Sequence, residues 1–208
     1  AHMRVVMTDI EAPTAIRRTV CFSQAIVHGE AKVEDVTARR AESPAQALAL
    51  LKEDVIPVLA DPEGACIPAL KPDALVDAIL AKRNLGTKIT DAPVVIGVGP
   101  GFTAGVDCHA VVETMRSARA WAGLSARRAV TVEGGPMGCT LDGVLRGILA
   151  DGTPVHKGMK SGDIDPRCEI KHCYCASDKA LAVGGGVLEA VLNLTGALRE
   201  TAHGIAED

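Results

Sequence analysis

Residues 85–106 read LGTKITDAPVVIGVGPGFTAGV, and the fold turns on this stretch. Within it, Val94-Val95-Ile96-Gly97-Val98 is a short, non-alternating apolar run rich in β-branched residues. That is the pattern of a strand buried on both faces of a parallel sheet. Glycines stand at 97, 99, 101 and 105, and a threonine and lysine turn precedes the run. A strand that ends in glycines is how an open α/β sheet delivers backbone N–H groups to an anionic ligand beyond its carboxyl edge. The stretch reads as a site as well as a scaffold.

Upstream, strands and helices alternate. Arg4 to Asp9 reads as a strand that closes on an acid, and Pro13 to Ala25 as a helix with Thr14 as its N-cap. Ala25 to Glu42 has short alternating stretches around His28-Gly29, which suggest a hairpin or an edge excursion. Ser43 then caps a helix with Pro44 at its first position, and Val55 to Asp61 follows as a strand. Pro68 to Asp73 make a turn, and Ala74 to Leu80 is a third apolar run. The turn AKRNLGTK leads to the fourth, at Val94. Such alternation predicts an α/β fold with a mostly parallel, buried sheet, an incomplete Rossmann-like arrangement.

Composition narrows the function classes. The 208 residues are 48% apolar with a net charge of −4, which disfavours nucleic acid and acidic membrane surfaces as partners. Only Trp121, Tyr174, Phe22 and Phe102 are aromatic, too few for a base-stacking platform. The seven cysteines are an odd count with no export signal ahead of them, which fits reduced thiols in a cytoplasm. No apolar run approaches the roughly 20 residues that span a bilayer.

The candidate ligand-binding residues gather at expected strand ends. Asp9 or Glu11 stands where a dinucleotide fold places the acid that holds ribose hydroxyls, or else beside the positive end of a helix dipole. Asp61, then Asp77 with Lys82, Asn84, Thr87 and Lys88, precede the loop of Gly97, Gly99, Gly101, Thr103 and Gly105. Lys82, Arg83 and Lys88 bring positive charge beside N–H-rich backbone, a pairing suited to phosphate or another anion. The alternative is that the lysines are ordinary loop residues and the glycines serve turns. No G-K-[ST] follows, so this is not a Walker motif. Cys108 and His109 are adjacent and seldom would such neighbours face each other, so no catalytic residue is assigned.

Residues 130–167 hold closely spaced glycines between short apolar runs, the pattern of a small β structure. Lys160 lies in its turn, where packing competes with a carrier role. Asp163 and Asp165 would share one face if extended, ready to bind a cation or to pair with Arg167. Cys168, Cys173 and Cys175, with His172 and His156, have spacing unlike structural zinc sites, and no metal site is assigned. Ser177 opens a final helix that is broken or closely approached at Gly184-Gly185-Gly186.

Four runs carry a resemblance: VVMTDIEAPTAIRRTVCFSQAI (5–26), VDAILAKRNLGTKITDAPVVIGVGPGFTAGVD (76–107), GVLRGILADGTPVHKGMKSGDIDPR (143–167) and SDKALAVGGGVLEAVL (177–192). Together they resemble the accessory proteins of selenium-dependent molybdenum hydroxylase systems, a family related to the maturation factors of xanthine dehydrogenase and CO dehydrogenase. The resemblance implies assistance in preparing or inserting the molybdenum cofactor, with a hydroxylase apoprotein as partner. NAD(P) or another nucleotide and a molybdopterin-type cofactor are the ligand candidates. Relatives open with a strand and a G-A-G-D-x-x-x-G turn that this sequence lacks, and the region between Met115 and Gly143 is shorter than their pattern. The third run also resembles one half of a barrel-sandwich domain. The expected division is a Rossmann-like domain over 3–116, a linker over 117–129, a small β-rich unit over 130–167 and a C-terminal segment over 168–208 whose helix packs back on the α/β domain. Arg4 to Thr8 would form an exposed edge that favours a homodimer. The alternatives are an NAD(P)-linked oxidoreductase, a cofactor-modifying transferase, and a docking module without a small-molecule ligand.

Overall fold

A computed structural model describes residues 3–114, 130–132, 135–137 and 142–197. The protein is α/β, with one parallel sheet, one mixed sheet and a C-terminal helix, and no barrel closes among the described residues. Its contacts divide it into two units, Ala1–Cys66 with Arg119–Ala176 and Ile67–Ala118 with Ser177–Asp208. The 3–116 span therefore contributes to both units, and the 117–129 linker lies outside the described residues.

Unit one is built on a four-stranded sheet of β1 (Met7–Asp9), β2 (Glu30–Val33), β3 (Val36–Ala41) and β4 (Ile56–Ala60), in the order β1-β4-β3-β2. β1, β4 and β3 run parallel, and β2 pairs antiparallel with β3. Helix α1 (Gln24–His28) packs Ala25 and Ile26 on Ala38 and Val58, with Met7, Phe22 and Ile56 around them. Helix α2 (Pro44–Leu50) links β3 to β4 as expected: the Ser43 hydroxyl accepts the Gln46 N–H, and Pro44 opens the first turn.

Two expectations in this unit are corrected. Pro13 to Ala25 is not one helix but a loop, a single 3-10 turn at Arg18–Val20 and the short α1. Tertiary bonds hold the loop open. Arg17 donates to the His172 and Cys175 carbonyls, Arg18 to that of Ile148, and the Thr19 hydroxyl to that of Cys173. The hairpin is present, but it turns at Glu34 (φ 53°), while His28 ends α1 and Gly29 caps it.

The same unit contains two antiparallel pairs, β8 (Val130–Val132) with β9 (Gly135–Met137) and β10 (Val144–Ile148) with β11 (Gly162–Asp165). Gly147 lets the Ile16 and Arg17 backbone approach β10 where a Cβ would collide with it.

Unit two contains β5 (Ala74–Asp77), β6 (Val94–Val98) and β7 (Ala110–Val112), all parallel, with β6 in the centre. All five residues of β6 are buried, as its continuous apolar run predicts. A short helix α3 (Ile67–Leu70) stands where a turn was expected to begin, and the third apolar run is a strand only as far as Asp77. Helix α4 (Asp178–Leu194) packs on β6 and β7, and the Ser177 hydroxyl accepts the Ala180 N–H at its start. The helix runs unbroken through its glycines, and only Gly186 is closely approached, by Val112. No described helix is long and apolar enough to cross a membrane.

Because Ile96 is fully buried at the centre of this sheet, Ile96→Ala should cost about 2–5 kcal/mol. Urea unfolding would read this as a lowered midpoint with an unchanged slope.

Candidate functional site

At the carboxyl edge of unit two, β5 ends on Asp77, which is paired in register with Gly97 of β6. The Asp77 carboxylate is buried and accepts two hydrogen bonds, from the Thr87 hydroxyl at 2.6 Å and the Ile79 N–H at 3.1 Å. Thr87 belongs to a turn closed by Asn84, whose side-chain oxygen accepts the Gly86 and Thr87 N–H groups while its amide donates to the Thr87 carbonyl. Lys88 donates its backbone N–H to Asp91. A polar residue at a strand end thus anchors the 79–88 loop through a chain of bonds, Asp77 to Thr87 to Asn84.

The glycine loop lies against this anchored segment. A Cβ on Gly101, whose φ is +105°, would collide with the Arg83 backbone, and one on Gly97 would collide with the Phe102 ring. Gly99 faces Leu80 and Thr114. These glycines are required first for close packing between loops.

The N–H groups of the loop are largely engaged within unit two. Gly99 donates to the Val112 carbonyl, Gly105 to that of Cys108, and Val106 and Asp107 to that of Thr103. The Thr103 N–H is taken by the Asp107 carboxylate at 2.8 Å. What the loop offers a ligand is consequently narrower than its glycine count suggests. The edge instead exposes Lys82, Arg83 and Lys88, none of which makes a side-chain hydrogen bond or ion pair among the described residues. Leu80 and Lys82 both take left-handed backbone (φ 60°), a conformation that costs of order 1–3 kcal/mol for a residue with a side chain. Strain of this size persists only where surrounding bonds enforce it.

The structure therefore brings together Asp77, Asn84, Thr87, Gly97, Gly99 and Gly101, with Lys88, Thr103 and Gly105 in the same two loops. Asp9 belongs to unit one, where its carboxylate accepts the Ile10 N–H and its carbonyl the Asp61 N–H. Asp61 serves as a cap, accepting the N–H groups of Ala65 and Cys66. Burial, with Asp61 alongside, pushes the Cys66 thiol up to about 12 and keeps it inert. Cys108 is fully buried, and His109 accepts the Val95 N–H through Nδ1.

A second polar centre lies in unit one. Asp163 and Asp165 alternate along β11 and are both buried, on one face as their spacing predicts. Arg167 pairs with Asp165, and Lys160 with Asp163 at 2.7 Å. The principal partner is one that strand alternation misses. Arg146 is the extra residue of a β-bulge between Leu145 and Gly147, and it reaches Asp163 at 2.6 Å and Asp165 at 3.2 Å. A bulge re-aims a side chain, and no simple period announces one.

Around this centre, His172 Nδ1 lies 3.2 Å from Asp165 without hydrogen-bond geometry, and Arg17 Nε is buried without a partner among the described residues, as are both Asp142 oxygens in the same unit. Burial and the nearby Arg146 lower the Arg17 guanidinium from its ordinary value. Cys168, Cys173 and Cys175 are free thiols, and no group of His, Cys, Asp and Glu among the described residues is arranged to hold a metal ion.

The chain is similar to the uncharacterized protein YqeB of Escherichia coli strain K12, with 43% identity over 239 aligned residues that cover 93% of this chain and 44% of the relative. The chain thus spans less than half the length of that protein. No protein-family model matches it, and no solved structure matches it significantly.

Gly101→Ala must move the Arg83 backbone and should lower the melting temperature by several degrees, whereas Gly105→Ala, with open space around it, should cost only the left-handed penalty of about 1–2 kcal/mol. In unit one, hydrogen bonds from Arg167 hold the Asp165 carboxyl far below its ordinary value against the effect of burial. Burial pushes Asp163 up, but hydrogen bonds from Lys160 and Arg146 outweigh it and leave that group lowered as well. The stability from both is complete above the unfolded aspartate range near 4 and is lost as pH falls through the folded values. Urea unfolding between neutral pH and pH 2 should show that decline, with a shallower slope in Asp163→Asn. Arg146→Met leaves the buried carboxylates without their shared partner and should cost about 3–5 kcal/mol at neutral pH.

Proposed function

We propose that this chain is a cytoplasmic accessory protein that helps mature a selenium-dependent molybdenum hydroxylase of the xanthine dehydrogenase kind, assisting the preparation or insertion of its molybdenum cofactor. The observation that carries the reading is the joined geometry of the two ends of the long family-like run 76–107. The VDAILAKRNLGTK segment is anchored by Asp77 and Thr87, and the GVGPGFTAG loop packs on it through Gly101. Each end contributes one wall of the same sheet edge, the place where ligands of open α/β sheets bind.

In this reading the edge receives the phosphate of a nucleotide or of a molybdopterin-type cofactor, with Lys82, Arg83 and Lys88 as its cations and Thr103 as a hydroxyl donor, while the Thr87 hydroxyl stays on Asp77 and positions the loop. A second reading, a docking module without a small-molecule ligand, is favoured by the internal engagement of the Gly99, Thr103, Gly105, Val106 and Asp107 N–H groups. An NAD(P)-linked oxidoreductase or cofactor-modifying transferase would need reactive groups at this edge beyond the buried Cys108 and the engaged His109. Pairing of two β1 edges into a homodimer belongs to the same proposal, and sedimentation as a monomer would remove it.

The test has two parts. Deleting the gene should abolish selenium-dependent hydroxylase activity while the hydroxylase polypeptide is still made, and restoring it should recover the activity. Melting curves of the purified protein with NAD(P), CTP and molybdopterin species then separate the readings. A true ligand at 100 times its Kd stabilises by about 2.7 kcal/mol. A shift with one of them supports cofactor handling, no shift supports docking, and turnover of NAD(P)H would overturn both in favour of the oxidoreductase.

A further inference from the structure

We propose that the 79–88 loop of unit two is a protein-docking surface, whose partner presents carboxylates around an apolar centre. This rests on the accessory-protein reading, in which the partner is the hydroxylase apoprotein. Three observations meet in the loop.

The first is exposed apolar surface. Ile79 is 61% exposed, Leu80 55% and Leu85 54%, and Val106 at the tip of the neighbouring loop is 66% exposed. Large apolar side chains clustered this way, and not scattered singly, mark interaction sites.

The second is preorganisation. These side chains do not ride on a slack segment: Asp77 takes the Ile79 N–H and the Thr87 hydroxyl, Asn84 closes the turn around Leu85, and Gly101 seats against Arg83. On the neighbouring loop, Asp107 takes the Thr103 N–H, which fixes the turn that carries Val106. Leu80 and Lys82 are held in left-handed backbone as a consequence. A loop whose bonds hold apolar groups outward has already met the ordering cost of binding.

The third is charge. Lys82, Arg83 and Lys88 stand exposed without ion pairs among the described residues, in a chain whose net charge is −4. The acids of the same loops keep their charge but are bonded to loop donors: Asp77 is buried on Thr87, Asp91 accepts the Lys88 N–H and Asp107 accepts the Thr103 N–H. A basic rim around apolar tips complements an acidic protein surface. Anionic membranes are recognised by clusters of about four to eight Lys or Arg, more than this edge carries. Nucleic acid lacks aromatic rings to stack on, because the loop contains none.

The experiment measures binding of the purified chain to the purified hydroxylase apoprotein by interferometry. The variants are Lys82→Glu with Arg83→Glu, Leu80→Ser, and Lys52→Glu as a control in the exposed turn that follows α2. Circular dichroism melts verify that each is folded. The charge reversal and Leu80→Ser should each weaken binding about tenfold or more, the wild-type affinity should fall with added salt, and the control should bind as wild type. A complex that forms equally well with all variants overturns the docking loop and leaves the accessory reading standing. Absence of any complex with wild type overturns the reading and the inference together. Binding to phosphatidylglycerol vesicles, or self-association in sedimentation, that is lost in these same variants while the apoprotein complex is unaffected would assign the loop to a membrane or to a second copy, and would overturn the inference.

Discussion

Burial of β6 on both faces is the constraint from which unit two follows. A strand flanked in register by β5 and β7 and covered by α4 has no wet side, so each of its positions must be apolar or lack a side chain. Gly97 is the point where that rule meets the adjoining loop, because the Phe102 ring occupies the space a Cβ would need. Phe102 folds back over the strand end, and the chain must turn sharply at Gly99 and Gly101 to allow it. The close approach of Arg83 follows, and with it the position of the exposed basic and apolar loop. The candidate site is thus a consequence of how the central strand terminates.

Unit one depends on a different kind of interaction. Two buried carboxylates on one face of β11 would be costly without cations, and the bulge at Arg146 supplies one that serves both. Arg17 lies near the same centre through the open segment that Gly147 admits. Tertiary hydrogen bonds from Arg17, Arg18 and Thr19 to carbonyls distant in sequence replace the helix that local propensity favours. Here side-chain chemistry overrides backbone preference, because Arg17 and Thr19 satisfy carbonyls at the end of the 3-10 turn Ile170–Cys173 and just beyond it.

These two environments bear on function differently. The unit-one centre is dense with mutual ion pairs and offers structural cohesion. The unit-two edge combines loops held by many internal bonds with cationic side chains that are unengaged among the described residues. A rigid base under exposed apolar and cationic groups suits recognition by a macromolecule, and the same cations suit a phosphate. Similarity to YqeB over most of this chain extends the sequence pattern to a second protein whose own role is uncharacterized.

Much of this was legible in the linear sequence. The all-apolar run at Val94 to Val98, Ser43 with Pro44, Ser177, and the alternation of Asp163 and Asp165 each announce their structure because the cause is local: a period, a cap, or a missing Cβ. The Asp77 and Asn84 to Lys88 region was likewise visible as polar residues at a strand end, although only folding joined Asp77 to Thr87. The division into units, the opening of Pro13 to Val20, the bulge that aims Arg146 and the engagement of the loop N–H groups were decided by tertiary structure. Each depends on which distant backbone groups come within hydrogen-bonding distance, and the distances between groups far apart in sequence are set only when the sheets are assembled.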